Sequence, residues 1–124
     1  MRLLLDTHVL LWWRDDSPHL SVRARAEITA ATNEILISTA TLLEIVIKRA
    51  VGKLIFPDDL EDIVREESFG LIPISFQHLR QLELLPKLHH DPFDRMLIAQ
   101  ALTERVPLVT NDGAVRAYDV QTLW

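Results

Sequence analysis

Residues 2–14 read RLLLDTHVLLWWR. Leu3, Leu4 and Leu5 form a short apolar run that stops at Asp6, and from Thr7 to Arg14 the pattern is helical, so a strand over 2–6 passes into a helix over 7–14 with almost no loop. The same alternation continues along the chain. Short apolar runs place further strands at about 35–39, 71–75, 107–111 and, with the weakest pattern, 119–123. Between them lie stretches of helical period: 21–31, 41–51, a helix opened by Pro57 that ends near Gly70, 76–85 capped by Ser75 and stopped by Pro86, and a last helix opened by Asp91-Pro92. Residues 113–118 make a turn of helix at most. Strands alternating with helices define an α/β fold with a mostly parallel sheet.

Within that frame the pattern assigns faces. Val22, Ala26 and Ile28 form the inner side of the second helix, with Arg23, Arg25 and Glu27 outward. The third helix is the most apolar and is read as central, with Gly52 as its C-terminal stop. In the sixth, Phe93, Met96, Leu97, Ala101 and Leu102 face the core.

The composition narrows the chemistry. A chain of 124 residues fits one domain spanning 1–124, and it buries roughly two-thirds of the surface of its unfolded form. No apolar run approaches the roughly 20 residues of a membrane span, and the first residues enter a strand rather than a signal peptide, so a cytoplasmic protein is expected. The absence of cysteine excludes disulfides, zinc thiolate sites and cysteine nucleophiles. Any metal must be held by oxygen or imidazole. A net charge of −5 speaks against a generic polyanion binder, although Arg2, Arg14, Lys48, Arg49, Lys53, Lys87 and Arg95 lie near the proposed site elements and leave room for a locally positive rim.

Four carboxylates stand out by position. Asp6 ends the opening strand, Asp112 closes PLVTND (107–112), Glu44 lies among Leu42, Leu43, Ile45, Val46 and Ile47, and Asp94 falls in the first turn of the last helix. In open parallel sheets ligands bind beyond the carboxyl ends of the strands, and strand ends and helix starts of this kind converge on one edge. Carboxylates gathered with no nearby Lys or Arg of their own repel one another, an arrangement that makes sense if a hard divalent cation is the missing partner.

Each of these residues also fits a plainer role. Asp6 is a favoured N-cap for the helix behind it. Thr41-x-x-Glu44 matches a capping box, and Lys48 sits four residues on, at ion-pair spacing. Asp91 before Pro92 is read as an N-cap, which leaves Asp94 free for function where the helix dipole favours an anion. Asp112 in Thr-Asn-Asp-Gly also suits an ordinary turn. His89 and His90 match no zinc spacing and are read as loop histidines, and Trp12, Trp13 and Trp124 as packing residues in the core or a dimer, with base stacking as the alternative.

Together, LLLDTHVLLWW, ISTATLLEIVIK, HDPFDRMLIAQA and PLVTNDGAVRAY resemble the PIN domain, specifically the VapC-like toxin nucleases of bacterial type II toxin–antitoxin pairs, over nearly the whole chain. The resemblance implies a three-layer α/β/α sandwich. It carries the family's acidic cluster onto Asp6, Glu44, Asp94 and Asp112, as catalytic residues and metal ligands, with Thr110 and Asn111 in support. It further implies magnesium or manganese, cleavage of RNA, often tRNA or rRNA, a homodimer, and a small antitoxin that covers the site. Some members carry another acidic residue two places after the last aspartate, where this chain has Ala114. In such a site a cation on Asp6 and Asp94 activates water for in-line attack on a phosphodiester, and Asp112 and Glu44 complete the site or hold a second ion.

Two other classes compete. A phosphoacceptor signalling domain shares the sheet type and acidic residues, but it needs an aspartate after the middle strand and a later lysine, and the chain offers Ser75-Phe76 and PLVTND there. A PIN fold kept only for binding RNA or protein is the other, and the full set of four carboxylates argues against it.

Overall fold

The computed structural model describes all 124 residues. In chain order the elements are β1 (Arg2–Leu5), α1 (Thr7–Arg14), α2 (Val22–Thr29), β2 (Glu34–Ser38), α3 (Thr39–Ala50), α4 (Leu60–Glu67), β3 (Gly70–Ile72), α5 (Phe76–Leu84), α6 (Pro92–Glu104), β4 (Leu108–Val109), a 3-10 turn (Val115–Ala117) and β5 (Thr122–Leu123). All five strands are parallel, in the order β3-β2-β1-β4-β5. β1 therefore lies in the middle, and no helix is long and apolar enough to cross a membrane.

The strand period of two builds the layers. Leu3, Leu5, Ile35, Ile37 and Val109 point to one face, where they meet Val9 and Leu10 of α1, Ala24 and Ile28 of α2, Ile45 of α3 and Ile63 of α4. Leu4, Leu36, Ile72 and Leu108 point to the other, against Leu97, Ile98 and Ala101 of α6. The result is the three-layer α/β/α sandwich, with a hydrophobic core on each side of the sheet.

Several local expectations are corrected. Only Ala24 and Ile28 of α2 are buried, while Val22 and Ala26 are exposed, because Ser21 caps the helix through the Ala24 N–H and sets its rotation. The fourth helix is shorter than 57–70: Asp59 caps it, and Ser68 ends it in the left-handed region (φ 55°). The central helix is α6, buried without a break from Met96 to Ala101, whereas α3 leaves Leu43, Val46 and Ile47 exposed on one side. Gly52 does stop α3, at φ +73°, where a side chain would be strained.

His78 fixes α5 onto α6. Its Nδ1 accepts the Ser75 N–H (3.0 Å), so Nε2 carries the proton and faces Glu104 Oε1 (3.1 Å), while Gln100 lies at 3.4 Å. The ring is 2% exposed. His78→Leu removes a capping box and leaves buried Gln100 without this partner, and it should cost about 1 to 3 kcal/mol in urea unfolding. His90→Leu, on the surface, should stay within about 0.5 kcal/mol. Equal effects from the two would mean that this polar contact does not hold α5 in place.

Candidate metal centre

The site grows from the paired ends of the two middle strands. Leu5 of β1 pairs with Val109 of β4, so the next residues, Asp6 and Thr110, emerge side by side at the carboxyl edge. The Asp6 N–H donates to the Val109 carbonyl (3.0 Å). Thr110 Oγ1 donates to Asp6 Oδ2 (2.6 Å) and accepts the Asp112 N–H (3.0 Å), so one hydroxyl ties both aspartates to the strand ends. Asp6 Oδ1 also accepts the His8 N–H (3.2 Å), so Asp6 caps α1 while its other oxygen faces the site edge. Burial raises the Asp6 pKa above the ordinary value, against the lowering effect of the Thr110 and His8 hydrogen bonds.

Glu44 comes from α3 on the other side of β1. Ser38 caps that helix through the Ala40 N–H (3.0 Å). Thr41, which the sequence pattern suggested as the cap, instead bonds Thr7 across to α1 (3.1 Å) and draws α3 against the Asp6 turn. Glu44 is 2% exposed. Its Oε2 takes Lys48 Nζ at 2.5 Å, which raises the Lys48 pKa, and its Oε1 is buried with no hydrogen-bond partner. The expectation that the carboxylates lack a cationic neighbour is thus corrected: Lys48 satisfies half of Glu44 and leaves the other half bare.

Asp91 and Asp94 divide as their spacing suggested. Asp91 Oδ1 accepts the Phe93 and Asp94 N–H groups (2.8 and 3.1 Å), with Pro92 in the first helical position. Asp94 is left uninvolved in capping. Its pKa is pushed up to about 7, first by burial, then by repulsion from Asp6, Asp91 and Glu44, with His89 pulling the other way. That repulsion is the electrostatic sign that carboxylates from three separate elements share one small region.

His89 is the residue the sequence reading missed. Its Nε2 lies 3.0 Å from Asp94 Oδ2 and 3.2 Å from Asp112 Oδ2, and the three ligand atoms all lie within 4.8 Å of one another. The available signal was its place two residues before the Asp91 cap, which points the loop back over the helix start. His90 is exposed. Asp112 completes the group, with Oδ1 accepting the Ala114 N–H (2.9 Å).

The donor set fits a hard divalent cation: Asp94 and Asp112 meet at ligand distance with His89, Asp6 and Glu44 lie outside that group but near enough for their charge to act on Asp94, and the orphaned Glu44 Oε1 is a buried anionic oxygen that protein groups do not satisfy. Two clefts flank it. One, of about 260 Å³, holds Thr7, His8, Trp12, Glu44, Lys48 and Lys53 among its lining, and the other, of about 270 Å³, holds Asp6, His8, Trp12, Asn111 and Asp112. Trp12 packs on the core and against Trp124 and His19, and it lines both clefts.

This fold and edge are those of a known class of domain. The family model for the PIN domain matches residues 3–121, and the chain belongs to that family. Among solved structures, VapBC2 from Rickettsia felis, bound to a DNA fragment from its promoter, is similar at 18% identity, TM-score 0.70, over 99% of this chain and 98% of that one. A toxin–antitoxin complex from Klebsiella pneumoniae is similar at 18% identity and TM-score 0.70 (98% and 96% covered), and FitAcB from Neisseria gonorrhoeae at 18% and 0.69 (98% and 96%). No curated protein matches the chain in sequence.

The raised Asp94 pKa has a direct consequence for stability. Folded, Asp94 holds its proton up to about pH 7, whereas an unfolded aspartate releases it near pH 3.9. Between those values the folded state binds more protons, so this group makes stability fall as pH rises from about 4 to 7 and level off above. In EDTA, Asp94→Asn should flatten that slope in urea titrations and be at least as stable as wild type at pH 8. A mutant that is markedly less stable at pH 8, with the slope intact, would make Asp94 a structural cap.

Proposed function

We propose that this chain is a metal-dependent endoribonuclease, the toxin of a type II toxin–antitoxin pair, working with Mg2+ or Mn2+ held by Asp6, Glu44, Asp94 and Asp112. The observation that carries the reading is the buried, partnerless Glu44 Oε1 together with the Asp94 and Asp112 carboxylates that meet at ligand distance, a set of groups that a divalent cation would satisfy. Membership of the PIN family and the likeness to toxin–antitoxin structures support it.

Such an ion supplies a water of lowered pKa and charge stabilisation at the phosphorus. The protein's share is orientation. Thr110 fixes one Asp6 oxygen and the Asp112 backbone, so the two aspartates at the strand ends are set before a substrate arrives. Asp91 absorbs the first N–H groups of α6, which keeps Asp94 available. Lys53 lines the cleft beside Glu44, with Lys48 already paired to that carboxylate, and so offers an RNA phosphate a cation there, and Trp12 offers an aromatic surface next to it.

Asp6→Asn and Asp94→Asn keep side-chain size and remove anionic ligands, so either should abolish cleavage of total tRNA in Mg2+ or Mn2+ while leaving the circular dichroism spectrum unchanged. EDTA should do the same to wild type. Cleavage that survives EDTA or Asp94→Asn would defeat the mechanism, and tight RNA binding with no cleavage in either metal would favour a binding-only PIN domain.

A homodimer and a covering antitoxin complete the proposal. Leu43, Val46 and Ile47 share one exposed side of α3, an apolar strip of the kind that pairs with a second copy. Val46→Glu should shift the mass measured by light scattering from dimer to monomer with the fold retained. An unchanged dimer would place the interface elsewhere.

A further inference from the structure

We propose that the His89 imidazole is a tethered placeholder in the acidic cluster, which a divalent cation must evict before it can bind. The inference rests on the metal-site reading above and adds a residue that neither the family match nor the carboxylate pattern assigns.

The geometry fixes the ring's proton. His89 Nδ1 accepts the Asp91 N–H (3.2 Å), so Nε2 is the protonated nitrogen; it donates to Asp112 Oδ2 (3.2 Å) and lies 3.0 Å from Asp94 Oδ2. That N–H sits where the two carboxylate oxygens converge, which is where a cation shared by them belongs. The ring cannot simply become a ligand in place: a bare Nε2 would move the proton to Nδ1, and Nδ1 would then face the Asp91 N–H donor to donor. The backbone is held as well. Tyr118, 5% exposed, accepts the N–H groups of Leu88 and His89 on its hydroxyl (3.1 and 2.9 Å), so the loop stays and the side chain is the part that moves. With 17% of the His89 side chain exposed, rotation about its side-chain bonds carries the ring outward into solvent.

The consequence is a threshold. In the metal-free protein the His89 ring occupies the space between the Asp94 and Asp112 oxygens, and an ion gains the two oxygens only by displacing the ring and breaking its hydrogen bond to Asp112. His89 is therefore a positioning residue: it acts on the ligands and has no contact with substrate.

Calorimetric titration with Mn2+ or Mg2+ tests this on the intact chain. His89→Ala should bind the ion roughly tenfold more tightly than wild type, the size of one charge-assisted hydrogen bond that no longer has to be broken. A purely structural role would lower the melting temperature and leave affinity unchanged. If His89→Ala fails to fold, long-range 15N–1H spectra of the wild-type imidazole serve instead: Mg2+ should leave Nε2 protonated and shift its proton away from the carboxylate-bonded position. Unchanged affinity in His89→Ala, weaker binding, or an Nε2 that loses its proton as Mg2+ binds would each overturn the proposal. No ion binding by wild type or His89→Ala would overturn the metal-site reading itself and this inference with it.

Discussion

The hydrogen bond from Thr110 to Asp6 joins the two middle strands exactly where their backbone pairing ends, and the arrangement of the site follows from it. A carboxylate at the end of a central strand is 5% exposed, and burial alone would favour its neutral form. The Thr110 hydroxyl and the His8 N–H oppose that, and the same hydroxyl accepts the Asp112 N–H, so the third aspartate is placed relative to the first through a single oxygen. Removing the Thr110 hydroxyl would cost the site its internal reference, because it breaks the hydrogen bonds to both segments at once.

Much of this was legible in the sequence because it depends on period and position. The apolar runs, the helix starts at Ser75 and Asp91, and the stop at Gly52 are local features, and they appear close to where the sequence pattern puts them. β2 keeps its expected length, but β3, β4 and β5 are shorter than their expected runs; β4 pairs only at Leu108 and Val109, because the chain leaves the sheet at Thr110 to build the site. What was not legible is rotation and long-range contact. Nothing local tells that Ser21 turns Val22 outward, or that α3 leaves an apolar side exposed, since an apolar residue reads the same whether it meets the core or faces out.

The candidate site divides in the same way. Four carboxylates could be named from strand ends and helix starts, and Asp91 could be separated from Asp94 because Asp-Pro at a helix start has a definite backbone meaning. His89 could not be found this way. Its role depends on a loop between α5 and α6 folding back so that its ring lies between Asp94 and Asp112, 5 and 23 residues further along the chain, and on a tyrosine hydroxyl 29 residues away that holds its backbone. The Lys48 contact lay within reach as an i, i+4 spacing, but the spacing could not say that only one Glu44 oxygen would be used.

These partial satisfactions share a logic. Lys48 covers one oxygen of Glu44, Thr110 and the His8 N–H hold Asp6, His89 and the Ala114 N–H hold Asp112, and His89 lies against Asp94, so every carboxylate in the cluster has at least one protein partner that holds its orientation. Full neutralisation by fixed lysines or arginines would stabilise the fold but leave no affinity for an ion, and no neutralisation would let the four groups push the edge apart. The observed balance lies between these limits. It shows at Asp94, whose carboxyl is pushed up to about 7 by burial first and by Asp6, Asp91 and Glu44 next although His89 pulls it down, and a bound cation would offset the repulsive share. A site poised in this way is less stable than its fold permits, and the instability sits at the carboxyl edge of the sheet, away from the two apolar cores that hold the layers together.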